Sequence, residues 1–249
     1  MSLLAIDVGT TGSKAAAFSE AGDCLAGAYR EHRTLHPREG WAELDSTQVL
    51  AGVREIIAEV TPRTAGDPIT AACISSMGEA MTPVSADRRI LGTSILSSDI
   101  RGAEYIQALA RQISPEDVYA INPNIPGLNY SLPKLSWLRE HQPELYQQAD
   151  KFLFWSDLFA SMLGCDPVTS YSHANRSLLF DIRRQDWSDP LLAITGIERR
   201  KLPTTVASGA LAGVVSNRVA AELGLPPGVK VVVGGHLSIR KFRLRHRHI

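Results

Sequence analysis

The sequence predicts an α/β domain in which helices flank a mixed β-sheet. Three short apolar segments open the chain at residues 3–8, 13–18 and 24–29, and tight turns separate them. This arrangement is typical of an antiparallel meander. Further along, helical patterns alternate with continuous apolar runs at residues 69–75 and 229–233, which are typical of buried strands.

The first helix is predicted to begin near residue 46. Asp45 or Ser46 can cap it, and apolar residues then recur at helical spacing as far as Val60. Pro62 ends the helix, because proline lacks an amide hydrogen and its ring clashes with the preceding turn.

Helices dominate the rest of the chain. Ser114 is a predicted N-cap, since a proline follows it at the first helical position. Two short strands are predicted at residues 82–85 and 94–96. The remaining helices are predicted over residues 101–112, 115–119, 132–141, 143–148, 156–163 and 216–223.

The charge distribution argues against a nucleic-acid partner. The 249 residues carry 26 Lys and Arg against 26 Asp and Glu, which gives a formal net charge of zero. Residues 238–249 contain five basic residues and no acid, so the other residues, with 21 basic and 26 acidic side chains, carry a charge of −5. A mildly acidic body has no chain-wide basic surface for nucleic acid.

Membrane and secretory classes are also disfavoured. The first residues lack a signal-peptide pattern, and no apolar run approaches the roughly 20 residues that span a bilayer. Three cysteines, an odd number without metal-binding spacing, predict free thiols in a reducing compartment. We therefore expect a cytoplasmic protein without a membrane partner.

Residues 7–14 are the strongest candidate for a functional site. A carboxylate such as Asp7 at the end of an apolar strand is costly to bury unless it is paired or holds a cation. The turn that follows is rich in glycine and hydroxyl residues that can face a phosphate, and Lys14 adds positive charge. The spacing is not that of a P-loop. From the residues alone, a hairpin turn in which Asp7 caps local amides explains the pattern equally well.

Residues 7–14 resemble the opening of the FGGY carbohydrate kinases, and further segments resemble that family in its own order. These segments are residues 41–45, 74–79, 97–101, 131–138, 181–187 and 231–236. Ser97 stands where the family has tryptophan, and Asn129 is unusual at the start of the family signature. The resemblance covers residues 3–236 and implies a ribonuclease-H-like, actin-like ATPase domain.

The resemblance implies an ATP-dependent kinase that uses Mg²⁺ and phosphorylates a hydroxyl of a sugar or polyol. By position, Asp7 would hold Mg²⁺ through water, because magnesium keeps much of its hydration shell. Gly9, Thr10, Thr11 and Lys14 would hold the ATP phosphates. The family also allows a homodimer.

On the substrate side, the resemblance assigns Gly78, Glu79 and Asp99. Gly78 would let the backbone approach the ligand, and Glu79 would accept hydrogen bonds from hydroxyls. Asp99 would face the sugar with Arg101 orienting it, although a helix N-cap followed by a solvated arginine is an alternative for these two residues. His173 falls where the family makes substrate-side contacts, and a surface loop is the alternative there.

The resemblance ends at residue 236. FGGY kinases carry the aspartate that accepts the hydroxyl proton directly after this strand end, whereas Leu237 occupies that position here. Leucine cannot accept a proton, so no catalytic residue is predicted. We expect residues 2–236 to form the N-terminal, sugar-side domain, residues 237–249 to be a basic tail unlike the family, and the C-terminal kinase domain to be absent.

Several explanations of this departure remain open. An interrupted reading frame predicts that the DNA beyond codon 236 encodes an aspartate and a second kinase domain in another frame, and a basic tail for an acidic partner is the alternative. The chain is then a kinase domain that is inactive alone, a non-catalytic sugar or nucleotide binding module, or a frameshifted remnant. The residues do not identify the sugar, because the segment at 77–79 differs from both xylulose and glycerol kinases.

Overall fold

Strands and helices alternate through residues 1–236, the part of the chain that the computed structural model describes. The strands are β1 (Ser2–Val8), β2 (Gly12–Ser19), β3 (Cys24–Glu31), β4 (Glu43–Leu44), β5 (Ile69–Ser76), β6 (Met81–Val84), β7 (Ser94–Ile95), β8 (Lys151–Phe154), β9 (Val168–Ser170), β10 (Phe180–Asp181), β11 (Asp186–Trp187), β12 (Thr204–Val206), β13 (Leu211–Val214) and β14 (Lys230–His236). The helices are α1 (Ser46–Val60), α2 (Ala103–Ala110), α3 (Pro115–Ile121), α4 (Ser131–His141), α5 (Pro143–Gln148), α6 (Trp155–Met162), α7 (Tyr171–Asn175), α8 (Asp189–Thr195) and α9 (Asn217–Leu223).

A mixed sheet of six strands, in the order β13-β14-β5-β1-β2-β3, is the centre of the fold. Strands β1 to β3 form the predicted antiparallel meander. Strand β5 pairs in parallel with β1, and β14 pairs in parallel with β5. The carboxyl ends of β1, β5 and β14 therefore meet at one edge of the sheet, which is where ligands bind in open α/β sheets.

Helices cover this sheet. Helix α1 packs against β2 and β3, while α6 packs against β5 and β14. The predicted cap of α1 is confirmed, because the Asp45 carboxylate accepts the amides of Thr47 and Gln48, each at 3.0 Å. The α-helical hydrogen bonding ends at Val60, and a 3-10 turn that contains Pro62 follows.

A second apolar cluster lies beside the sheet, among α4, α5, β8 and α8. Phe152, Phe154 and Trp187 are among its buried members. Strand β8 pairs with β6, and β7 pairs with β4, so the two short predicted strands join partners distant in sequence rather than each other. Strands β8 to β13, of two to four residues each, are absent from the sequence prediction, because segments this short carry little periodicity.

No helix within residues 1–236 is both long enough and apolar enough to span a membrane.

At Gly234, strand β14 lies too close to β5 to admit a side chain. A Cβ atom built at this position would overlap the carbonyl oxygen of Ile74 in β5. That oxygen belongs to the backbone and cannot rotate away, so only glycine fits without a shift of one strand.

Replacing Gly234 with alanine should lower the free energy of unfolding by about 1–3 kcal/mol, because the strands must separate to admit the methyl group. Urea denaturation measures this change. Gly66→Ala is the matched control, since a Cβ there meets no atom within 4 Å. Equal stability of the two variants would show that β14 and β5 are not packed as described.

Candidate functional site

A cleft with a volume of about 390 Å³ opens at the edge where β1, β5 and β14 end. Asp7, Gly9 and Thr10 line it from the β1–β2 hairpin, Gly78 and Glu79 from the segment after β5, and His236 from β14. Segments that are far apart in sequence thus meet because their strands run parallel. The cleft contains polar groups from both halves of the site predicted from the sequence.

Asp7 lies half-buried at the end of β1, opposite Lys14 in the β1–β2 register. Burial raises the pKa of the Asp7 carboxyl, and the positive charge of Lys14 works in the opposite direction. Lys14 and Thr11 are exposed and do not line the cleft. Of the four residues predicted to hold phosphates, Gly9 and Thr10 face the cleft directly.

The hairpin turn after Asp7 is held from its outer side. The Gly9 amide donates to the Gly12 carbonyl at 3.0 Å, and the His32 amide donates to the Thr11 carbonyl at 3.1 Å. Nε2 of His32 lies 2.9 Å from the Gly9 carbonyl oxygen, and burial lowers the pKa of this histidine, so the neutral ring donates there. Within residues 1–236, no protein acceptor takes the amides of Thr10 and Thr11. Among the described residues, the turn therefore leaves two backbone donors available, as an anion-binding turn requires.

Gly78 has a packing role as well as a place in the cleft. A Cβ atom at this position would lie 2.7 Å from Cδ2 of His236 and 3.1 Å from Cγ of Arg176. Because Gly78 has no side chain, the side chains of His236 and Arg176 can pack against it, so its role is not only to let a ligand approach. The next residue, Glu79, is buried and has a φ of 52°, in the left-handed region.

Asp99 does not face the cleft. Its buried carboxylate accepts the amides of Ala42 at 2.7 Å and of Arg101 at 2.8 Å, and it pairs with the Arg101 guanidinium. Burial raises the pKa of this carboxyl, but these hydrogen bonds outweigh burial and bring the pKa below its ordinary value. The carboxylate is thus satisfied by protein groups, and the expectation that it binds sugar is not supported.

The N-cap alternative for Asp99 and Arg101 also differs from the structure. Helix α2 begins at Ala103, and the preceding Gly102 has a left-handed φ of 85°. Arg101 is 5% exposed, and its guanidinium lies 3.8 Å from the ring centre of Trp41. It is therefore a buried, stacked cation rather than a solvated one.

Truncating Asp99 to alanine should lower the free energy of unfolding by about 1–3 kcal/mol, because it removes one of the two carboxylates that pair with the buried Arg101, the other being Glu43, and leaves the Ala42 amide without its acceptor. Asp87→Asn is a matched control, since the Asp87–Arg89 pair is 63% and 73% exposed and its loss should not move the urea midpoint. A stable Asp99→Ala protein would contradict the structural role.

His173 is completely buried in α7 rather than part of a surface loop. Its Nε2 lies 3.1 Å from Oγ of Ser76, the last residue of β5, and its Nδ1 lies 2.9 Å from Oγ of Ser170. Burial lowers the pKa of His173 to about 4. The His173 ring therefore contacts the last residue of β5, two residues before Gly78 in the sequence. A five-residue helix carries no periodic signal, so the sequence could not place it.

The folded state should lose stability through His173 as pH falls. The unfolded chain protonates this histidine near pH 6.5, whereas the folded chain does so only near pH 4. Between these values unfolding takes up a proton, so stability decreases as pH falls, by up to about 3 kcal/mol. Urea denaturation of the wild type and His173→Gln at pH 7.5, 5.5 and 4.5 measures the difference.

Asp157 provides the internal reference for that measurement. Burial raises its pKa to about 7, so its contribution to stability changes in the opposite direction over the same pH range. Both proteins keep Asp157, and the difference between them therefore reports His173. A wild type and variant with parallel pH dependence would contradict the buried, neutral state of this ring.

The chain matches the model of the FGGY family of carbohydrate kinases, N-terminal domain, over residues 2–238. It belongs to this family. The fold class is accordingly the predicted one, an α/β actin-like ATPase domain with a mixed sheet flanked by helices.

Curated relatives include a xylulose kinase of Escherichia coli (strain K12), which is 26% identical over 232 residues, 93% of this chain and 47% of the relative. A glycerol kinase of Stenotrophomonas maltophilia (strain R551-3) is 32% identical over 211 residues, 81% of this chain and 42% of the relative. Among solved structures, a xylulose kinase from Rhodospirillum rubrum superposes with a TM-score of 0.89 at 24% identity, over 95% of this chain and 49% of that one. The chain thus spans about half the length of these relatives.

Proposed function

We propose that residues 1–236 are the sugar-side domain of a kinase that transfers the γ-phosphate of ATP to a hydroxyl of a sugar or polyol. One observation carries the proposal. A single cleft combines Asp7, Thr10 and the Glu79 carboxylate, and within residues 1–236 no acceptor takes the amides of Thr10 and of the adjacent Thr11. Phosphoryl transfer depends mainly on positioning and charge stabilisation, and these groups serve a phosphate at one end and a hydroxyl at the other.

Mg²⁺ fits the hairpin end of the cleft. Within the described residues, no three His, Cys, Asp or Glu side chains are grouped to hold a metal. Magnesium bound with a nucleotide needs only one or two carboxylates, because water and phosphate oxygens complete its shell. Asp7 would be that carboxylate. The ion would neutralise charge on the transferred phosphate, while Gly9 and Thr10 would orient that phosphate.

Glu79 would act at the other end of the cleft. An ionised carboxylate only accepts hydrogen bonds, so it selects the donor side of a hydroxyl group. Lys14 would contribute a long-range positive charge near the phosphates from the outer face of β2, opposite Asp7.

We also propose a cytoplasmic location, supported by the absence of disulfides among the described cysteines.

A second candidate is a non-catalytic sugar or nucleotide binding module. It is favoured by Leu237, which occupies the family's position for the proton-accepting aspartate and lies outside the described residues. Both candidates require the cleft to bind ligands. They differ in whether restoring a carboxylate restores chemistry.

Binding by the 249-residue protein tests what both candidates share. Saturation-transfer NMR should detect Mg²⁺·ATP and at least one member of a panel of pentoses, hexoses and polyols. Asp7→Asn should weaken Mg²⁺·ATP about tenfold or more, because it removes the charged ligand of the metal. Asp23→Asn, at an exposed turn between β2 and β3, is the matched control and should bind normally. If Asp7→Asn bound both Mg²⁺·ATP and the carbohydrate as tightly as the wild type does, the proposal would be contradicted.

Turnover separates the two candidates. The 249-residue protein should phosphorylate no carbohydrate above the uncatalysed rate, because Leu237 cannot accept a proton. A Leu237→Asp chain joined to the second half of the E. coli xylulose kinase should turn over if the protein is a kinase domain. Ligand binding without turnover in that fusion would favour the binding module instead.

A further inference from the structure

Arg176 brings a positive charge to Glu79 that the sequence did not reveal. It caps the carboxyl end of α7, 97 residues from Glu79 along the chain. Its Nε donates to Oε1 of Glu79 at 2.6 Å, and its Nη2 forms an ion pair with the same oxygen. One carboxylate oxygen of Glu79 is therefore engaged twice.

The Arg176 guanidinium is held in place by its surroundings. It lies over the ring of Tyr130, with 4.7 Å between the guanidinium carbon and the ring centre. Its Nη1 lies 3.5 Å from Oδ1 of Asn124, whose own amide donates to Asn122 and to the carbonyl of Asn175. A planar, stacked guanidinium has a defined direction, so it can set the direction of the carboxylate it meets.

Glu79 is constrained from its backbone side as well. Oγ of Ser131 donates to the Glu79 carbonyl at 2.6 Å, and the left-handed backbone is unusual for a residue with a Cβ atom. Within residues 1–236, no hydrogen bond reaches Oε2 of Glu79, although the residue lines the cleft. The geometry therefore leaves one oriented acceptor oxygen for a ligand.

We propose that Arg176 is a positioning residue that holds Glu79 with Oε2 available in the cleft, and that the pair favours uncharged polyols and sugars over sugar acids. The inference rests on the proposed function. A neutral hydroxyl can donate to Oε2. The carboxylate of a sugar acid would meet the negative Oε2, while two donors of Arg176 are already engaged by Oε1.

Matched pairs of an alditol and the aldonate of the same length test this selectivity, namely xylitol with xylonate and glucitol with gluconate. Dissociation constants come from ligand-observed NMR on the full chain. The wild type should bind the better alditol at least about tenfold more tightly than its aldonate. Glu79→Gln should abolish this preference, because it removes the negative charge and leaves the Arg176 cation to attract the acid.

Three further variants show whether Arg176 acts through Glu79. Arg176→Gln should weaken alditol binding about tenfold, and Arg176→Lys should recover part of the loss, since it keeps the charge but not the fork. The double variant with Glu79→Gln should bind alditols no more weakly than Glu79→Gln alone. Arg199→Gln is the matched control, because Arg199 pairs with Asp186 and Asp189 rather than with residues of the cleft.

The failures of the two proposals are distinguishable. Equal wild-type affinity for an alditol and its aldonate, or a folded Arg176→Gln protein with unchanged affinities, overturns the inference and leaves the proposed kinase function standing. Binding of neither compound class overturns both. If circular dichroism shows that Arg176→Gln does not fold, the Glu79→Gln variant alone tests the inference. A Glu79→Gln protein that still prefers the alditol over the aldonate overturns it.

Discussion

The parallel alignment of β1, β5 and β14 is the constraint on which the rest of the structure depends. It places the residues that follow Val8, Ser76 and Val233 at one edge of the sheet, although they are separated by most of the chain. Gly234 is part of this constraint, because β14 approaches the Ile74 carbonyl too closely for a side chain. A phosphate-facing turn and a hydroxyl-facing carboxylate become one cleft only through this pairing.

Two arginine–carboxylate pairs show how similar chemistry serves different ends. The Asp99–Arg101 pair is buried, and the Ala42 amide, the Glu43 carboxylate and the Trp41 ring also contact it. It joins the segment before β4 to the start of α2. The Glu79–Arg176 pair is also well held, but within residues 1–236 no hydrogen bond reaches the second carboxylate oxygen of Glu79, beside the cleft. What distinguishes a structural pair from a candidate binding pair is this unused acceptor.

Local signals account for the successful part of the sequence prediction. The meander, the Asp45 cap and the Ser114 cap depend on neighbouring residues, and the structure confirms each. Arg176 and His173 could not be predicted in their positions, because their partners, Glu79 and Ser76, are each 97 residues away. A short polar helix has no pattern that reports such contacts. The roles of Asp7, Gly9, Thr10 and Glu79 stay predictions that the cleft geometry supports.

The sequence by itself determined the family, the α/β class and the candidate phosphate turn, because motif order, capping residues and apolar periodicity are properties of the chain read linearly. Only the tertiary structure decided which carboxylate faces the cleft. Both Asp99 and Glu79 are acidic residues, and the sequence does not distinguish them. In the structure, backbone amides and Arg101 donate to both carboxylate oxygens of Asp99, whereas Arg176 engages one oxygen of Glu79. That difference arises from contacts between distant segments, which exist only once the strands have paired.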